Sequence, residues 1–406
     1  MTGRARVVIV GGSFGGLTAA YELGRRLGHE RAEITLISKE ERFTFVPSLT
    51  WLAMGARTLP QISFGLASPL ARRGVTFAHE TVTGIDAERK LVSTTEAEHP
   101  YDFLVIATGH RSANEAVEGL GPFDGPGHSP MSAPEAEELA GAVRALLKDP
   151  GPVVVGAAPG ASCIGPAYEL AFELDHLLRE RGLRHLVPMT FLTPEPYLGH
   201  MGMGGAGKIR QLLEGALEER DIAYRTSVAV TRITADAVEA EGGPPIPSLL
   251  SIVIPPLAGV DAVAKSPGLA NAKGFVPVDA HHRHQAADGA YAVGVAVALP
   301  PVEETPVPVN FPKTGHMTEQ MAQIAARDIA ARIEGREGPT AELSARCVLD
   351  MGDRGVYVAV DPVRPPRNTI PTVSEGRRWL LVKRAFERAY LWHARRGRRM
   401  PTALGW

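Results

Sequence analysis

An α/β protein with two interleaved Rossmann-like nucleotide-binding folds and a C-terminal amphipathic helix is predicted by three features of the sequence. The apolar run Val7-Val8-Ile9-Val10 enters the turn Gly11-Gly12-Ser13-Phe14-Gly15-Gly16 and then the helical LTAAYELGRRL. The same order of strand, glycine turn and helix returns at Gly151, as Val153-Val154-Val155, a turn from Gly156 to Pro166, and AYELAFELDHLL. From Gly376 onward, Trp379, Val382, Phe386, Ala389 and Tyr390 share one helical face, and basic residues cover most of the rest.

In the first unit the glycines let the backbone approach a pyrophosphate, whose charge rests against free N–H groups at a helix N-terminus. Ser13 stands where the usual pattern has its second glycine. A second strand is expected at Glu33–Ser38, and the position of the ribose-binding acid falls on Ser38, with Glu40 the nearest carboxylate. Tyr101 to Gly109 reads as another apolar strand ending in a small-residue turn, and 122–134, rich in Gly and Pro, as the first crossing between domains. After Gly274, FVPVDAH and AYAVGVAVAL read as strands, followed by a loop with five prolines between 300 and 312 whose stiffness suits a ligand wall. A helix is expected from Lys313-Thr314-Gly315 to about Arg332.

The 406 residues allow two or three domains, and 44% hydrophobic with 22% charged residues excludes a mainly disordered chain. The longest uncharged stretch, 242–260, carries five prolines and cannot be a spanning helix. The N-terminus passes from Arg6 straight into a strand and leaves no room for a signal peptide, so a location on the cytoplasmic side is expected. Two cysteines exclude a disulfide scaffold or an all-cysteine zinc site, leaving an inert or a reactive pair. His281, His282 and His284 lack a cysteine or carboxylate pair in their turn and read as a solvated loop, so no metal is expected. The net charge of −2 conceals a basic end, with nine Lys/Arg against two acids in 375–400.

VVIVGGSFGG, LVIATGH and YAVGV resemble the two-dinucleotide-fold flavoprotein disulfide reductases, in which one fold binds FAD, the other usually NAD(P)H, and a return segment completes the flavin site. Within them, FTFVPSLTW, GAAPGASCIGPAYEL, TPEPYLGHMG, PPVEETPVPVNFPKTGHM and CVLDMGDRG are similar, in this order, to segments of the sulfide:quinone oxidoreductases. The resemblance implies an FAD domain over 1–112 and 274–335, a second fold carrying Cys163 over 113–273, and a quinone- and membrane-contacting region over 336–406. It implies FAD ligands at Gly11, Gly12, Ser13, Phe14, Gly15, Gly16, Ser38, Lys39, Pro47, Val82, Thr108, Gly109, Gly294, Lys313 and Gly315. Lys313 would bring positive charge to the flavin's pyrimidine edge, where negative charge develops on reduction. The family's first cysteine has no counterpart near Met131-Ser132, and a histidine usual after it corresponds to Glu135. Non-covalent FAD is therefore expected. The remaining pair also resembles the flavoprotein subunit of flavocytochrome c sulfide dehydrogenase, which is exported and serves a haem partner.

Cys163 precedes Gly165-Pro166 at the start of a helix, where the dipole is expected to favour a thiolate. Cys347 must be brought to it by the fold. The resemblance implies that hydrosulfide opens a Cys163–Cys347 disulfide or polysulfide bridge, leaving a persulfide and a thiolate, and that Cys347 acts on the flavin. His200 is a candidate proton relay, and Glu169, one turn beyond Cys163, a residue that orients the flavin or serves the helix dipole.

Phe386 and Tyr390 are the expected quinone contacts. The basic helix is expected to lie at a membrane surface, more weakly than in the resembled enzymes because the chain ends at Trp406 without a second helix. Partners are then hydrosulfide, polysulfide, a membrane quinone and the membrane surface, with no nucleic acid and a homo-oligomer left open. NADH:quinone oxidation and a non-catalytic flavin-bearing sulfur sensor remain the alternative functions.

Overall fold

The computed structural model describes residues 4–121, 123–367 and 369–400. Residues 1–3, Pro122 in the expected crossing loop, and 401–406, where the short tail ends, lie outside the described residues.

Continuous apolar strands bury both faces and so favour parallel sheets covered by helices. Ala5–Val10 is such a strand, with Val7 and Ile9 fully buried. It pairs in parallel with Ala32–Ser38 on one side and Phe103–Ile106 on the other. Val75–His79 and Ala290–Ala292 complete a five-stranded parallel sheet. Thus a strand from beyond residue 274 returns to the first sheet. The second sheet is also five-stranded and parallel, in the order Gly127–His128, Leu250–Ile254, Val153–Ala157, Met189–Leu192, Ile222–Arg225. Each unit carries a three-stranded antiparallel meander, Val82 to Pro100 in the first and Val230 to Pro247 in the second. FVPVDAH forms only isolated bridges, from Val276 to Val297 and from Val278 to His284, because Pro277 and the turn residues after it interrupt a ladder.

After the helix Gly315–Ile333, the antiparallel strands Ala345–Asp350, Gly355–Val360 and Thr372–Gly376 lead into the helix Arg377–Ala394. The expected apolar face of this last helix is corrected. Leu380, Lys383, Glu387, Tyr390, Leu391 and Ala394 form the buried stripe and face the protein, while Trp379 stacks on Tyr357 at 4.4 Å. Leu381 and Trp392 are the large apolar residues left exposed, among the arginines. Burial of aromatic area against the first domain outweighs presenting it outward. Among the described residues, no helix is long and apolar enough to cross a membrane.

The histidines near 281 are corrected as well. His282 and His284 are buried, and His284 Nδ1 accepts from the Ala286 and Ala287 N–H groups at 3.0 and 2.8 Å. His281 lies 3.5 Å from the buried Asp328, which Arg283 and Tyr291 also bind. These side chains fasten the return strand to the helix Gly315–Ile333.

That helix packs along Phe14–Arg31, with Glu22 completely buried in the contact. Arg26, Arg25, Arg399 and Arg327 surround its carboxylate at 2.7, 3.1, 3.2 and 3.4 Å. Burial opposes the charge, but the arginines prevail and hold the carboxyl down to about 2. A depressed carboxylate stabilises the fold above its unfolded pKa and loses that contribution as pH falls through its folded one. Glu22→Gln should therefore cost about 3 kcal/mol at neutral pH. In denaturant titrations the deficit should shrink between about pH 4.5 and about pH 2; a pH-independent deficit would contradict the assignment.

Candidate active site

Both glycine turns lie at the carboxyl ends of parallel strands, the edge at which α/β sheets bind ligands. Gly11 has φ +110°, and a Cβ there would stand 2.2 Å from the Ala107 carbonyl oxygen. A Cβ on Gly16 would stand 1.8 Å from the Gly11 oxygen. Only glycine lets this strand and helix approach so closely. Gly12 packs on Ser38 and Gly15 on Val293, while Ser13 caps the helix with its carbonyl oxygen, 2.9 Å from Leu17 N. This cradle fits the phosphates of a dinucleotide such as FAD.

Of the other expected FAD ligands, Ser38 ends a strand of the same sheet, and Thr108, Gly109 and Gly294 follow others. Ser38 exchanges hydrogen bonds with the Glu40 backbone, and Lys39 is exposed beside it. Thr108 and Gly109 follow the strand Phe103–Ile106. Gly294, with φ +69°, faces Thr318, and Gly315 lies against the Phe14 ring. Lys313 is buried and donates to the Val295 carbonyl oxygen at 3.0 Å. Pro47 lies exposed in the short turn Val46–Ser48, and Val82 opens the first meander. The Phe14 ring packs within 5.0 to 5.7 Å of Phe43, Phe45 and Tyr390, and Phe386 meets Phe45 and Tyr390 at 5.9 Å. The two expected quinone contacts thus reach the phosphate turn through one aromatic cluster.

Cys163 ends the second turn, immediately before the helix Gly165–Glu180, and Cys347 lies mid-strand opposite Val358. Both are free thiols that keep some solvent access. The fold brings them within electrostatic reach of each other and of Glu169. Burial, followed by the charge of Glu169, pushes the Cys163 thiol up to about 11 despite a backbone hydrogen bond from Gly165. Cys347 rises to about 12 through burial, then the neighbouring Cys163 and Glu169, with Lys383 opposing. The expected thiolate at the helix N-terminus is corrected: lost hydration and a carboxylate one turn away outweigh the dipole.

Glu169 accepts from the Asp350 N–H at 2.8 Å and from the Lys383 ammonium. Glu173 accepts from Thr50 at 3.2 Å, and Asp350 from the Trp51 indole at 2.9 Å. Burial, with the charges of Asp350 and Glu169, raises Glu173 well above the usual carboxyl range. Burial alone would strip the Lys383 proton, but the surrounding carboxylates hold it and raise its pKa. Sequence reasoning missed Lys383, Glu173, Asp350 and Trp51. The signal for Lys383 was its position: it falls on the same helical face as Phe386 and Tyr390, where a lone lysine must find a buried partner.

His200 is buried away from this cluster. Its Nδ1 accepts from Gly202 N at 3.2 Å, which puts the ring proton on Nε2, 2.8 Å from Glu303. Glu303 belongs to the proline-rich loop, whose Pro308 carbonyl accepts from Gly160 N at 2.6 Å. Asn310 donates to the Gly160 oxygen at 2.7 Å. The second glycine turn is therefore bonded to protein backbone and side chain.

Two dinucleotide-type folds, with a glycine cradle beside the first sheet, are the architecture of a flavoprotein oxidoreductase. The pyridine nucleotide-disulphide oxidoreductase family matches residues 5–323. The chain is 38% identical to a sulfide-quinone reductase of Aquifex aeolicus over 98% of its own length and 92% of the relative's. The X-ray structure of the sulfide:quinone oxidoreductase from that bacterium superposes with a TM-score of 0.93 at 38% identity, covering 98% of this chain and 93% of that one. A type II NADH:quinone oxidoreductase of Staphylococcus aureus is 32% identical over 29% of either chain. The chain belongs to the pyridine nucleotide-disulphide oxidoreductases and, within them, to the sulfide:quinone oxidoreductase family.

Because Glu169 raises both thiols, Glu169→Gln should acidify them. Alkylation of the purified protein by iodoacetamide at fixed pH should be several-fold faster than in the parent; unchanged rates would show that the carboxylate does not govern the thiols.

Proposed function

We propose that this chain oxidises hydrosulfide to zero-valent sulfur or polysulfide through Cys163 and Cys347, on non-covalently bound FAD, and passes the electrons to a membrane quinone. The observation that carries this reading is the convergence of the two cysteines of the chain, far apart in sequence, on one buried carboxylate–lysine cluster. Bound FAD supplies the two-electron acceptor between sulfur and quinone; the residues of the chain supply the rest.

With both cysteines tied up in the bridge, hydrosulfide is the first nucleophile. It attacks the oxidised Cys163–Cys347 bridge: one S–S bond breaks, a new one forms to the incoming sulfur, and the other cysteine leaves as thiolate. We assign the leaving role to Cys347 on the family resemblance; the Lys383 charge opposes the burial that raises its pKa, and its high basicity makes the thiolate, once released, a strong nucleophile. Cys163 retains the persulfide. His200 is assigned the proton-relay role on its 2.8 Å contact with half-exposed Glu303, and the same contact holds the loop wall in place. Phe386, partly exposed at the edge of the aromatic cluster, lies where a quinone ring could stack.

The NADH alternative is disfavoured by the Pro308 carbonyl, which takes the Gly160 N–H that a second pyrophosphate would need. Glu195, beyond the strand Met189–Leu192, is buried by hydrogen bonds from Tyr168, Thr193 and the Met201 N–H. No position near Met131 offers a thiol to flavin, and Ser132 caps the helix Ala133–Leu146. A peripheral membrane association is supported by Leu381, Trp392 and Val46, exposed among the arginines of the last helix and the turn it packs on.

Anaerobic sulfide should bleach the flavin band and quinone should restore it, whereas NADH should not bleach it. Bleaching without quinone recovery would favour a sensor, and NADH bleaching would overturn the assignment. Cys163→Ser or Cys347→Ser should each lower sulfide-driven bleaching by at least about 100-fold with FAD still bound. Near-normal rates in both would exclude the bridge. Acid should release the flavin from precipitated protein. Leu381→Glu with Trp392→Glu should weaken sedimentation with anionic vesicles while leaving bleaching intact; unchanged sedimentation would remove this face from the membrane contact.

A further inference from the structure

Most deeply buried charges in this protein have a counter-charge. Lys383 has Glu169, Arg220 has Asp175 and Asp353, and Glu22 has its arginines. Lys313 differs. It is 9% exposed, its ammonium bonds to the Val295 carbonyl oxygen at 3.0 Å and lies 3.8 Å from the centre of the Phe275 ring. Among the described residues, no carboxylate pairs with it. The titratable group within electrostatic reach is His110, which follows Thr108 and Gly109, is partly buried and makes no side-chain hydrogen bond. Burial holds Lys313 down to about 7, and burial together with the Lys313 charge holds His110 down to about 4. Near neutral pH His110 is thus uncharged.

An unpaired buried cation costs several kcal/mol, so this site is complete only when an anion comes beside it. Lys313 lies on the carboxyl edge of the first sheet, between the turn at Gly294 and the helix that packs on Phe14. This is the edge assigned to the flavin, whose ring becomes negatively charged on two-electron reduction. We propose that Lys313 is a proton acceptor coupled to the flavin's redox state, neutral beside oxidised FAD and taking up one proton when an electron pair arrives from sulfide. The inference rests on the FAD reading above. The balance closes over a turnover. Hydrosulfide gives up two electrons and one proton, solvent gives the second proton, one of the two is held on the reduced flavin and one on Lys313, and quinone leaves as quinol with the electron pair and both protons.

The test is the flavin midpoint potential of FAD-loaded protein, measured spectroelectrochemically against pH. Each proton taken up by a two-electron couple contributes about 30 mV per tenfold change in proton concentration. The parent should show a slope near 30 mV per pH unit below about pH 7, where Lys313 already holds its proton, and about 60 mV per pH unit above it. Lys313→Gln should lose the steep limb above pH 7. Lys313→Arg, a permanent cation, should also be shallow there, but with a higher potential than Lys313→Gln, and it carries the test alone if the glutamine variant does not retain flavin. A parent slope that stays shallow above pH 7, or a steep limb surviving in the variants, would overturn the proposal. A purified parent protein without FAD would instead overturn the reading on which it rests.

Discussion

The buried ammonium of Lys383 is the contact on which the arrangement of the site depends. Its hydrogen bond to Glu169 ties the last helix to the helix that begins at Cys163, and Glu169 in turn receives the N–H of Asp350, at the end of the Cys347 strand. The Lys383 ammonium also lies 5.0 Å from the Trp51 ring, whose indole N–H donates to Asp350. Four segments far apart in the sequence are thereby held around one charge. Removing one partner of such a group leaves the others buried and uncompensated, which costs far more than a surface ion pair contributes. The cluster therefore fixes relative positions that loops alone would leave variable.

The same burial sets the chemistry. A thiol at a helix N-terminus is expected to be acidic, yet Cys163 and Cys347 lie beside a carboxylate and have lost most of their hydration. High basicity lowers the fraction of thiolate but raises the nucleophilicity of each thiolate formed. In the proposed cycle the thiolate is released by bond cleavage next to Lys383, so the resting thiol need not be ionised. Desolvation thus acts against spontaneous oxidation or alkylation of the resting cysteines without obstructing a step that begins from the bridged form.

Much of the fold was legible in the sequence because it depends on local rules. The two glycine turns follow from backbone approach distances, and the continuous apolar strands from burial on both faces. The motifs also carried the family. The electrostatic cluster was not legible, since Lys383 and Glu169 reveal nothing of each other until tertiary packing joins them, and Asp350 and Trp51 have no helical or strand periodicity in common. The last helix shows a subtler limit. Its periodicity was real, but a hydrophobic face does not specify what covers it, and the core stripe of Leu380, Tyr390 and Leu391 lies rotated from the face read off the sequence. His282 and His284 were read as part of a solvated loop for want of a cysteine or carboxylate pair in their turn, whereas both are buried, and backbone groups of Leu269, Ala286 and Ala287 hydrogen-bond the His284 ring.

The two halves of the chain repeat one architecture, parallel sheet, glycine turn and meander, yet use it differently. In the first, the space beside Gly11–Gly16 is bounded by small residues, and the helix N-terminus can receive an anion. In the second, the turn is lengthened by Ala161, Ser162 and Cys163, and the proline-rich loop fastens to Gly160 from both sides. Prolines at 306, 308 and 312 restrict that loop, so holding it there costs little conformational entropy. The bonds from the loop to Gly160 occupy its N–H and carbonyl and bring the wall bearing Glu303 to His200, while the added residues carry the thiol to the helix start. The same lengthened turn thus both receives the proline-rich loop at Gly160 and sets Cys163 just before the helix Gly165–Glu180.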